Sequence, residues 1–336
     1  MRGLRKPFLG INKGFDYISM ELVSVVINCL NGEKFLREAM DSVVAQTYPN
    51  WEVIFWDNAS TDRSREIALS YGDRVRYFKS ENKLSLGEAR NRAFLKAGGD
   101  FIAILDADDI WLPEKLEKQV KLFKDPNVAL TFTNAVSFDA KGEHYRAFKG
   151  APTREKMIFA DLLKNNFIWT LTMIFRRNAL NRLDYLFDPE FEIVCDYDLT
   201  LRLARLYKTD YLNEVLAKWR MGPKAASELK SYIAARESIK LLSRLESSIP
   251  HLRVDHPREV QRYETLVSRK LAQEAWQKGD KKAVRSLLKD SWKGDLFSFL
   301  AYSGGWLMPR RLFAASVNTM QYLMYCWRRI VDKLIF

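Results

Sequence analysis

The sequence has few of the residues that form disulfides or bind transition metals. Its 336 residues include three cysteines and three histidines. Cys29, Cys195 and Cys326 are widely spaced and form no C-x-x-C pair, which argues against a disulfide framework or a cysteine-rich zinc site and favours a reducing cytoplasm. The histidines do not occur at metal-ligand spacing, so any bound metal is expected to use oxygen ligands.

Long apolar segments and two common nucleotide-binding motifs are also missing. No run of roughly 18 apolar residues occurs, so a transmembrane helix is not expected. No G-x-G-x-x-G sequence follows the first predicted strand, which disfavours a nicotinamide or flavin dinucleotide, and no G-x-x-x-x-G-K-[ST] sequence is present, which excludes a P-loop.

The net charge of +12 is concentrated toward the C-terminus. Residues 228–336 hold 20 basic and 11 acidic residues, whereas the two signs balance over 20–227. We therefore expect a basic, disordered leader over 1–19 (or a chain that starts at Met20), a globular domain over 20–227 and a basic helical extension over 228–336. Such an extension can face an anionic membrane surface, an acidic partner or nucleic acid; no recognition motif for nucleic acid accompanies it, and we expect none to bind.

Apolar β-branched runs alternate with helical patterns through the first 134 residues. Strands are predicted over 22–30, 51–56, 75–78, 101–105 and 129–134, and helices over 33–46, 61–71, 86–97 and 112–123, with Thr61 as the N-cap of the second helix. This alternation predicts an α/β fold with a parallel sheet, in which ligands bind beyond the carboxyl ends of the strands. From residue 228 onward, helices are predicted over 232–245, 257–277, 281–292 and 311–336.

The strongest chemical signal is the sequence Asp106-Ala107-Asp108-Asp109, directly after the apolar run FIAIL. Carboxylates this close repel one another unless a cation or solvent compensates them, and Mg²⁺ or Mn²⁺ prefers such oxygen ligands, often shared with phosphates. The alternative is an acidic cluster at the N-terminus of the following helix.

Three further sites carry polar residues that could act on a ligand. Asp57-Asn58 ends the second predicted strand, where a carboxylate suits a ribose hydroxyl or a base edge. Arg90 could reach a phosphate or a base carbonyl, and Asp196, at a helix start, could take a proton from a hydroxyl. The alternatives are turn chemistry, an exposed helix charge, and N-capping by Asp196 or Asp198.

These pieces, in this order, resemble family 2 glycosyltransferases of the bacterial type, which have the GT-A fold. The resemblance covers about 21–227 and is strongest over 24–64, 87–109 and 187–203. It implies a Rossmann-like, mixed and mostly parallel sheet flanked by helices, followed here by an α-helical C-terminal region. It also implies transfer of a sugar from a nucleotide-diphosphate sugar, a UDP-sugar by expectation, to a saccharide or lipid-linked acceptor in polysaccharide or glycolipid biosynthesis.

The resemblance assigns donor binding to a set of residues that mostly follow strand ends: Asn28, Asn31, Glu33, Asp57, Asn58, Arg90, Asp106, Ala107 and Arg220. In this assignment Asp57 holds the base or ribose, Arg90 lies near the base or diphosphate, and Asp106 faces the ribose and donor sugar. Asp108 would coordinate the divalent metal, Mn²⁺ or Mg²⁺. Asp196 would be the general base of an inverting reaction.

The sequence departs from the family pattern at three places. Asn28-Cys29-Leu30-Asn31 stands where Pro-x-Tyr-Asn is frequent, so an aromatic near the base is missing. Cys195 replaces the Glu of a Glu-Asp pair. Trp219-Arg220-Met221-Gly222 keeps the Arg of a Tyr-Arg-x-His segment without its His, and Arg220 or Lys224 is expected to compensate.

These losses leave open a catalytically silent sugar-nucleotide-binding or scaffold homologue. A phosphatase-type hydrolase is disfavoured, because Ile110-Trp111 follows where such enzymes have Gly-Thr.

The predicted helix over 311–336 has an apolar face with aromatic residues and basic ends. It could lie in a membrane interface, which would place a cytoplasmic enzyme on the inner face of the membrane near a lipid-linked acceptor. Equally, it could pack on the globular domain with its charges in solvent.

Overall fold

The computed structural model describes residues 21–149, 158–222 and 224–289. Within these ranges nine strands form one sheet, with bounds β1 Val23–Cys29, β2 Trp51–Asp57, β3 Val75–Lys79, β4 Phe101–Ile104, β5 Ile110–Trp111, β6 Val128–Asp139, β7 Gly142–Arg146, β8 Ile174–Arg176 and β9 Lys208–Arg220. The helices are α1 Leu36–Val44, α2 Ser64–Leu69, α3 Leu86–Phe94, α4 Lys115–Val120, α5 Phe159–Lys164, α6 Arg177–Leu180, α7 Cys195–Leu206, α8 Lys224–Ser248, α9 Leu252–Asp255, α10 Pro257–Gln277 and α11 Lys281–Leu288, with 3₁₀ turns at Lys121–Lys124 and Thr170–Thr172.

Some predicted segments lie outside the described residues, namely the leader over 1–19, the helix over 311–336 and the end of the helix over 281–292. The division of the chain at residues 227 and 228 stays a prediction. In the part of the chain that the structure covers, none of the helices has the length and hydropathy that a membrane span requires.

The sheet has the strand order β3-β2-β1-β4-β8-β6-β9-β5, with β7 paired to β6. The first four strands in this order, β3, β2, β1 and β4, are parallel to one another. β8 lies between β4 and β6 and is antiparallel to both. Both faces are covered, because alternate residues of each parallel strand enter different hydrophobic clusters: Val26 and Ile54 pack on one face, and Val25 and Phe55 on the other. The predicted mixed sheet with flanking helices is therefore confirmed.

The register of the parallel strands brings their carboxyl ends to one edge. Cys29 pairs with Asp57, so the loops after β1 and β2 start at the same level, whereas β4 ends at Ile104, beside Val26. Gly32 lets two of these loops approach closely, since a Cβ there would lie 2.7 Å from the Cys29 sulfur and 3.4 Å from the Cβ of Ala107. The polar residues that follow the strands thus gather at this edge.

Two local predictions were wrong. The helix predicted over 112–123 is reduced to α4, because Ile110 and Trp111 pair with β9 as a short strand and the Leu112 N–H donates to the Leu216 carbonyl. Thr61 is not the cap of α2, since its N–H and hydroxyl both donate to Asn31 and the helix begins three residues later. In both places a contact with a distant segment overrides the local pattern.

The described part of the C-terminal extension packs on the sheet domain. Leu241, Leu245 and Val260 belong to the same hydrophobic cluster as residues of the sheet and of α5 and α7. Tyr263 of α10 stacks on Tyr197 of α7 with ring centroids 6.3 Å apart. The extension is thus continuous with the core of the molecule through α8, α9 and the first part of α10, whereas Trp276, Val284 and Leu288 belong to a separate small cluster.

Lys115 is buried in this core, and no carboxylate is among its contacts with the described residues. Lys115 is 0% exposed, and its Nζ donates to Gln119 Oε1 at 3.0 Å and lies 4.2 Å from the centroid of the Trp111 ring. Burial lowers the pKa of Lys115 well below its ordinary value. The charged form is therefore destabilised in the folded protein.

We expect Lys115→Met to raise the free energy of unfolding by about 1 kcal/mol or more near neutral pH, because it removes a buried amine and keeps the volume. Above the lowered folded-state pKa, the folded protein holds one proton fewer than the unfolded chain. Wild-type stability should therefore rise with pH until the unfolded lysine titrates, and the gain from Lys115→Met should shrink between about pH 7 and about pH 9. Urea denaturation at the two pH values measures this.

The matched control is Lys121→Met, which replaces an exposed lysine paired only with Glu117. Its effect should stay within about 0.5 kcal/mol at both pH values. Equal effects of the two substitutions would show that burial of Lys115 has no energetic consequence.

Candidate active site

A cleft of about 360 Å³ opens beyond the carboxyl ends of the parallel strands. It is lined by two carboxylates, three aromatic rings and several smaller groups: Asp106, Tyr145, Asn166, Ile168, Trp169, Thr170, Leu171, Ile193, Asp196 and Trp219. Two larger cavities, of about 860 and 600 Å³, lie among α8, α10 and α11 and contain none of the predicted site residues. The smaller cleft is therefore the candidate active site.

The guanidinium of Arg90 joins the two carboxylates of the cleft. Arg90 projects from α3 and is 2% exposed; its Nη2 donates to Asp106 Oδ1 at 3.2 Å, and its Nη1 lies 3.9 Å from Asp196 Oδ2. Burial alone would lower the pKa of this guanidinium, but Cys195 and the two carboxylates raise it above its ordinary value. Arg90 thus stays charged and holds Asp106 and Asp196 at a fixed separation.

Asp196 is fixed at the start of α7 by hydrogen bonds to both of its oxygens. Oδ2 accepts from the Thr170 hydroxyl, and Oδ1 accepts from the Tyr197 N–H at 2.7 Å. The side chain is 15% exposed and faces the cleft. A carboxylate held in this way at a cleft wall can accept a proton from a bound hydroxyl.

Cys195, the residue that departs from the family pattern, lies beneath this carboxylate. Its sulfur accepts from Arg90 Nη1 at 3.4 Å, and the residue has no exposed surface. Burial raises the pKa of the Cys195 thiol to about 12. The side chain is therefore a neutral thiol and adds no negative charge to the cleft.

The turn after β4 concentrates acidic groups. Asp109 is buried; its Oδ1 accepts from the Arg220 N–H at 2.8 Å, and its Oδ2 has no hydrogen-bond partner among the described residues. Burial, followed by the charges of Asp106 and Asp108, raises the pKa of Asp109 well above its ordinary range. Asp108 presents much of its surface to solvent, yet surrounding protein and the charge of Asp106 raise its pKa as well.

Arg220 supplies the positive charge next to this turn. Its Nε donates to the Asp108 carbonyl at 2.8 Å, and its Nη2 donates to Glu38 at 2.7 Å. Its guanidinium also lies over the ring of Phe35, 4.1 Å from the centroid. Arg220 is therefore fixed beside Asp108, and its role in donor binding stays a prediction.

The acidic turn fits a divalent cation that is shared with a ligand. In the described ranges no group of three His, Cys, Asp or Glu residues could hold a metal by itself. Mg²⁺ and related ions, however, commonly use one or two carboxylates together with water and substrate phosphates. Asp108 and Asp106, together with the oxygen of Asp109 that has no partner among the described residues, provide such a donor set. Burial is the first cause of the raised pKa values of Asp108 and Asp109 and charge repulsion the second, and a cation would relieve both.

The predicted base-binding residues are engaged within the protein. Asp57 is 0% exposed; its Oδ1 accepts from the Ser60 N–H at 2.7 Å and its Oδ2 from the Tyr77 hydroxyl at 2.5 Å. The Asn58 amide donates to the Leu84 carbonyl and accepts from the Leu84 N–H. These side chains hold the loop after β2, and a ligand would have to displace the Tyr77 hydroxyl to contact Asp57.

The loops after β1 and β2 are tied together by the other predicted donor residues. Asn31 Oδ1 accepts from the Thr61 N–H at 2.9 Å, and Glu33 Oε2 accepts from the Arg63 N–H at 3.0 Å. Asn28, by contrast, has a buried amide for which the described residues supply no partner to either polar atom. Asn28 lies in β1, next to its last residue, and its role in donor binding stays a prediction.

The structure therefore brings Asp106 and Asp196 together in one cleft, with the buried guanidinium of Arg90 between them. Ala107 lies in the adjoining turn, and Arg220, at the end of β9, contacts that turn. Asp57 and Asp108 are not among the residues that line that cleft. Their assigned roles in binding stay predictions.

Sequence reasoning missed Glu237 of α8. This buried carboxylate accepts from the N–H groups of Glu192, Ile193 and Val194 at 2.8, 2.9 and 3.0 Å, shortly before Asp196 in the chain. It also missed Thr170 and Trp169, which reach the cleft through a 3₁₀ turn. No local pattern marks these residues, because their partners lie 26 to 45 residues away in the chain.

Comparisons with known proteins agree with the geometry. The model of the family described as Glycosyl transferase family 2 matches residues 24–185. The putative teichuronic acid biosynthesis glycosyltransferase TuaG of Bacillus subtilis is 32% identical over 213 residues, which cover 62% of this chain and 82% of TuaG. The chain belongs to glycosyl transferase family 2. It is also 30% identical over 212 residues to WfgD of Escherichia coli, a UDP-Glc:alpha-D-GlcNAc-diphosphoundecaprenol beta-1,3-glucosyltransferase, with 62% of this chain and 81% of WfgD covered.

Solved structures support the fold of this family 2 glycosyltransferase. TarS 1–349 of S. aureus in complex with UDP-GlcNAc superposes with a TM-score of 0.58 at 16% identity, covering 88% of this chain and 91% of TarS 1–349. The mannosyltransferase PcManGT of Pyrobaculum calidifontis, in complex with GDP-Man and Mn²⁺, gives a TM-score of 0.58 at 18% identity over 89% of this chain and 84% of that one. The predicted GT-A fold is confirmed.

Replacing Glu237 should destabilise the segment that carries Asp196. We expect Glu237→Ala to lower the free energy of unfolding by about 1–3 kcal/mol, because three buried N–H groups lose their acceptor. Urea denaturation measures the change. Glu190→Ala, which removes an exposed carboxylate paired with Arg244, is the control and should cost about 0.5 kcal/mol or less. A loss no larger than that of the control would contradict the anchoring role.

Proposed function

We propose that this glycosyltransferase moves a sugar from a nucleotide-diphosphate sugar, with a UDP-sugar as the expected donor, to a hydroxyl of a saccharide or lipid-linked acceptor. We further propose that the reaction is inverting, depends on a divalent metal and serves polysaccharide or glycolipid biosynthesis. The observation that carries the proposal is the single cleft in which Arg90 holds a donor-side carboxylate, Asp106, beside a carboxylate suited to be the base, Asp196.

In the proposed reaction, Asp196 accepts the proton of the acceptor hydroxyl. The hydroxyl oxygen forms a bond to the anomeric carbon as the bond from that carbon to the diphosphate oxygen breaks, and the nucleoside diphosphate leaves with the bonding electrons. Arg90 and Thr170 keep the Asp196 carboxylate oriented during this step. A divalent cation held by Asp108 would neutralise charge on the diphosphate.

Two relatives support the class of substrate. TuaG is named for teichuronic acid biosynthesis, and WfgD is named for a UDP-Glc donor and a diphosphoundecaprenol-linked acceptor. The basic residues 228–336 support a location at an anionic membrane surface, where a lipid-linked acceptor would be found. The silent-homologue hypothesis is distinguished from this proposal by the variants below.

We expect Asp196→Asn to reduce sugar transfer by about 10²–10⁴-fold and to change the dissociation constant of the donor by less than about twofold, because the amide keeps the shape and loses the proton acceptor. The measurements are calorimetric binding of a panel of UDP-sugars and mass-spectrometric detection of the transfer product. Asp161→Asn, on α5 and outside the cleft, is the control.

Wild-type rates of transfer by Asp196→Asn would remove this residue from the base role. Binding of sugar nucleotides by the wild-type chain without transfer to any saccharide or lipid-linked acceptor would favour the silent homologue.

Asp108→Ala should abolish the effect of Mn²⁺ on donor binding, because the exposed carboxylate beside the diphosphate site is lost. Calorimetric titration of a UDP-sugar with and without Mn²⁺ measures this without reliance on turnover. Asp139→Ala, which removes a carboxylate paired with His144 at the end of β6, is the control. The proposal of a metal at Asp108 fails if Mn²⁺ strengthens donor binding equally in both variants.

A further inference from the structure

Three aromatic side chains from separate segments converge on the cleft that holds Asp106 and Asp196. Tyr145 belongs to β7, Trp169 precedes the 3₁₀ turn at Thr170–Thr172, and Trp219 belongs to β9. The ring centroid of Trp169 lies 5.9 Å from that of Tyr145 and 5.4 Å from that of Trp219, both in edge-to-face geometry. We call these three residues the aromatic wall.

The aromatic wall is partly open to solvent. Tyr145 is 49% exposed, and both tryptophans are partly exposed where they line the cleft. Single exposed aromatics are ordinary on protein surfaces, but three in contact at one cleft leave a continuous apolar surface whose covering by a ligand would be favourable.

The aromatic wall is rigidly connected to the proposed base. Trp169 is followed directly by Thr170, whose hydroxyl donates to Asp196. The carbonyl of Trp169 accepts from the N–H of Thr172 at 2.9 Å and from its hydroxyl at 2.6 Å, which fixes the backbone. A molecule resting on Trp169 would thus keep a defined position relative to the Asp196 carboxylate.

A pyranose ring has the surface that matches this arrangement. Its axial C–H groups form an apolar face, which is attracted to the negative face of an aromatic ring, and its hydroxyls project around the edge toward polar groups. A cleft of about 360 Å³ is near the lower limit of small-molecule sites, which suits one sugar unit. An open-chain polyol has no comparable apolar face.

We propose that Tyr145, Trp169 and Trp219 form the subsite for the terminal sugar of the acceptor, which is a pyranose that stacks on the aromatic wall and directs a hydroxyl to Asp196. This inference rests on the proposed function for the reaction and adds the chemical class of the acceptor and the residues that select it.

The test uses the full chain, UDP, and a panel of methyl pyranosides with ribitol as the open-chain comparison. Saturation-transfer NMR reports which ligand protons touch the protein, and titrations give dissociation constants. We expect at least one pyranoside to bind through the C–H groups of one face and ribitol not to bind. Trp169→Ala should weaken pyranoside binding by about tenfold, Trp169→Phe should largely preserve it, and UDP binding should be unchanged in both.

Trp51→Phe is the matched control, because it removes a tryptophan at the start of β2, away from the carboxyl ends of the strands, and should not alter pyranoside binding. Tyr145→Ala, at an exposed hairpin position, supplies a variant that keeps the fold if Trp169→Ala is unstable, and it should weaken binding by about twofold or more. Thermal unfolding of each variant verifies folding.

The inference is overturned if the wild-type chain binds UDP but binds none of the pyranosides. It is also overturned if Trp169→Ala and Tyr145→Ala both leave pyranoside binding unchanged. A different result would be that the wild-type chain binds a pyranoside in a Trp169-dependent way but does not bind UDP. That result would overturn the proposed donor and would leave the proposed sugar subsite supported.

Discussion

The buried guanidinium of Arg90 is the interaction on which the cleft depends. A guanidinium that is 2% exposed is costly unless carboxylates compensate it, and Asp106 and Asp196 would repel each other across the cleft without a cation between them. Each of the three side chains therefore needs the other two. The contacts join α3, the end of β4 and the start of α7, which span 105 residues of sequence from Arg90 to Cys195.

Cys195 modifies this charge arrangement in a specific way. A carboxylate at this position would share Arg90 with Asp106 and Asp196, whereas the thiol, with its raised pKa, remains neutral. The positive charge of Arg90 is thus left to two carboxylates instead of three. The hydroxyl of Thr170, an uncharged donor, then forms a hydrogen bond to Asp196. A comparison of sequence motifs alone does not reveal this contact. The departure from the family pattern is in this respect compatible with a functional base.

Local patterns predicted the elements well where packing follows hydrophobic periodicity. The helix over 257–277 agrees with α10 at both ends, and the parallel strands agree within one or two residues, since apolar runs of this kind must be covered on both faces. No element was predicted over β5, Ile110–Trp111, because its pairing with β9 depends on tertiary structure. The cleft was predicted only in part: strand-end positions pointed to Asp106 and the family motif to Asp196, whereas Trp169, Thr170 and Glu237 act through partners that are distant in sequence.

The helical extension takes part in the charge arrangement of the site. The N-terminal end of α7 presents free N–H groups that would suit a phosphate, but Glu237 occupies those before Asp196 with its own carboxylate. In the proposed reaction, the diphosphate would therefore lie away from this helix end, beside the turn that carries Asp106, Asp108 and Asp109. That turn is itself acidic, although Arg90 donates to Asp106 and Arg220 donates to the Asp108 carbonyl. A diphosphate can approach it only if additional positive charge accompanies the ligand, which is the physical reason to expect a divalent cation at Asp108 in this enzyme.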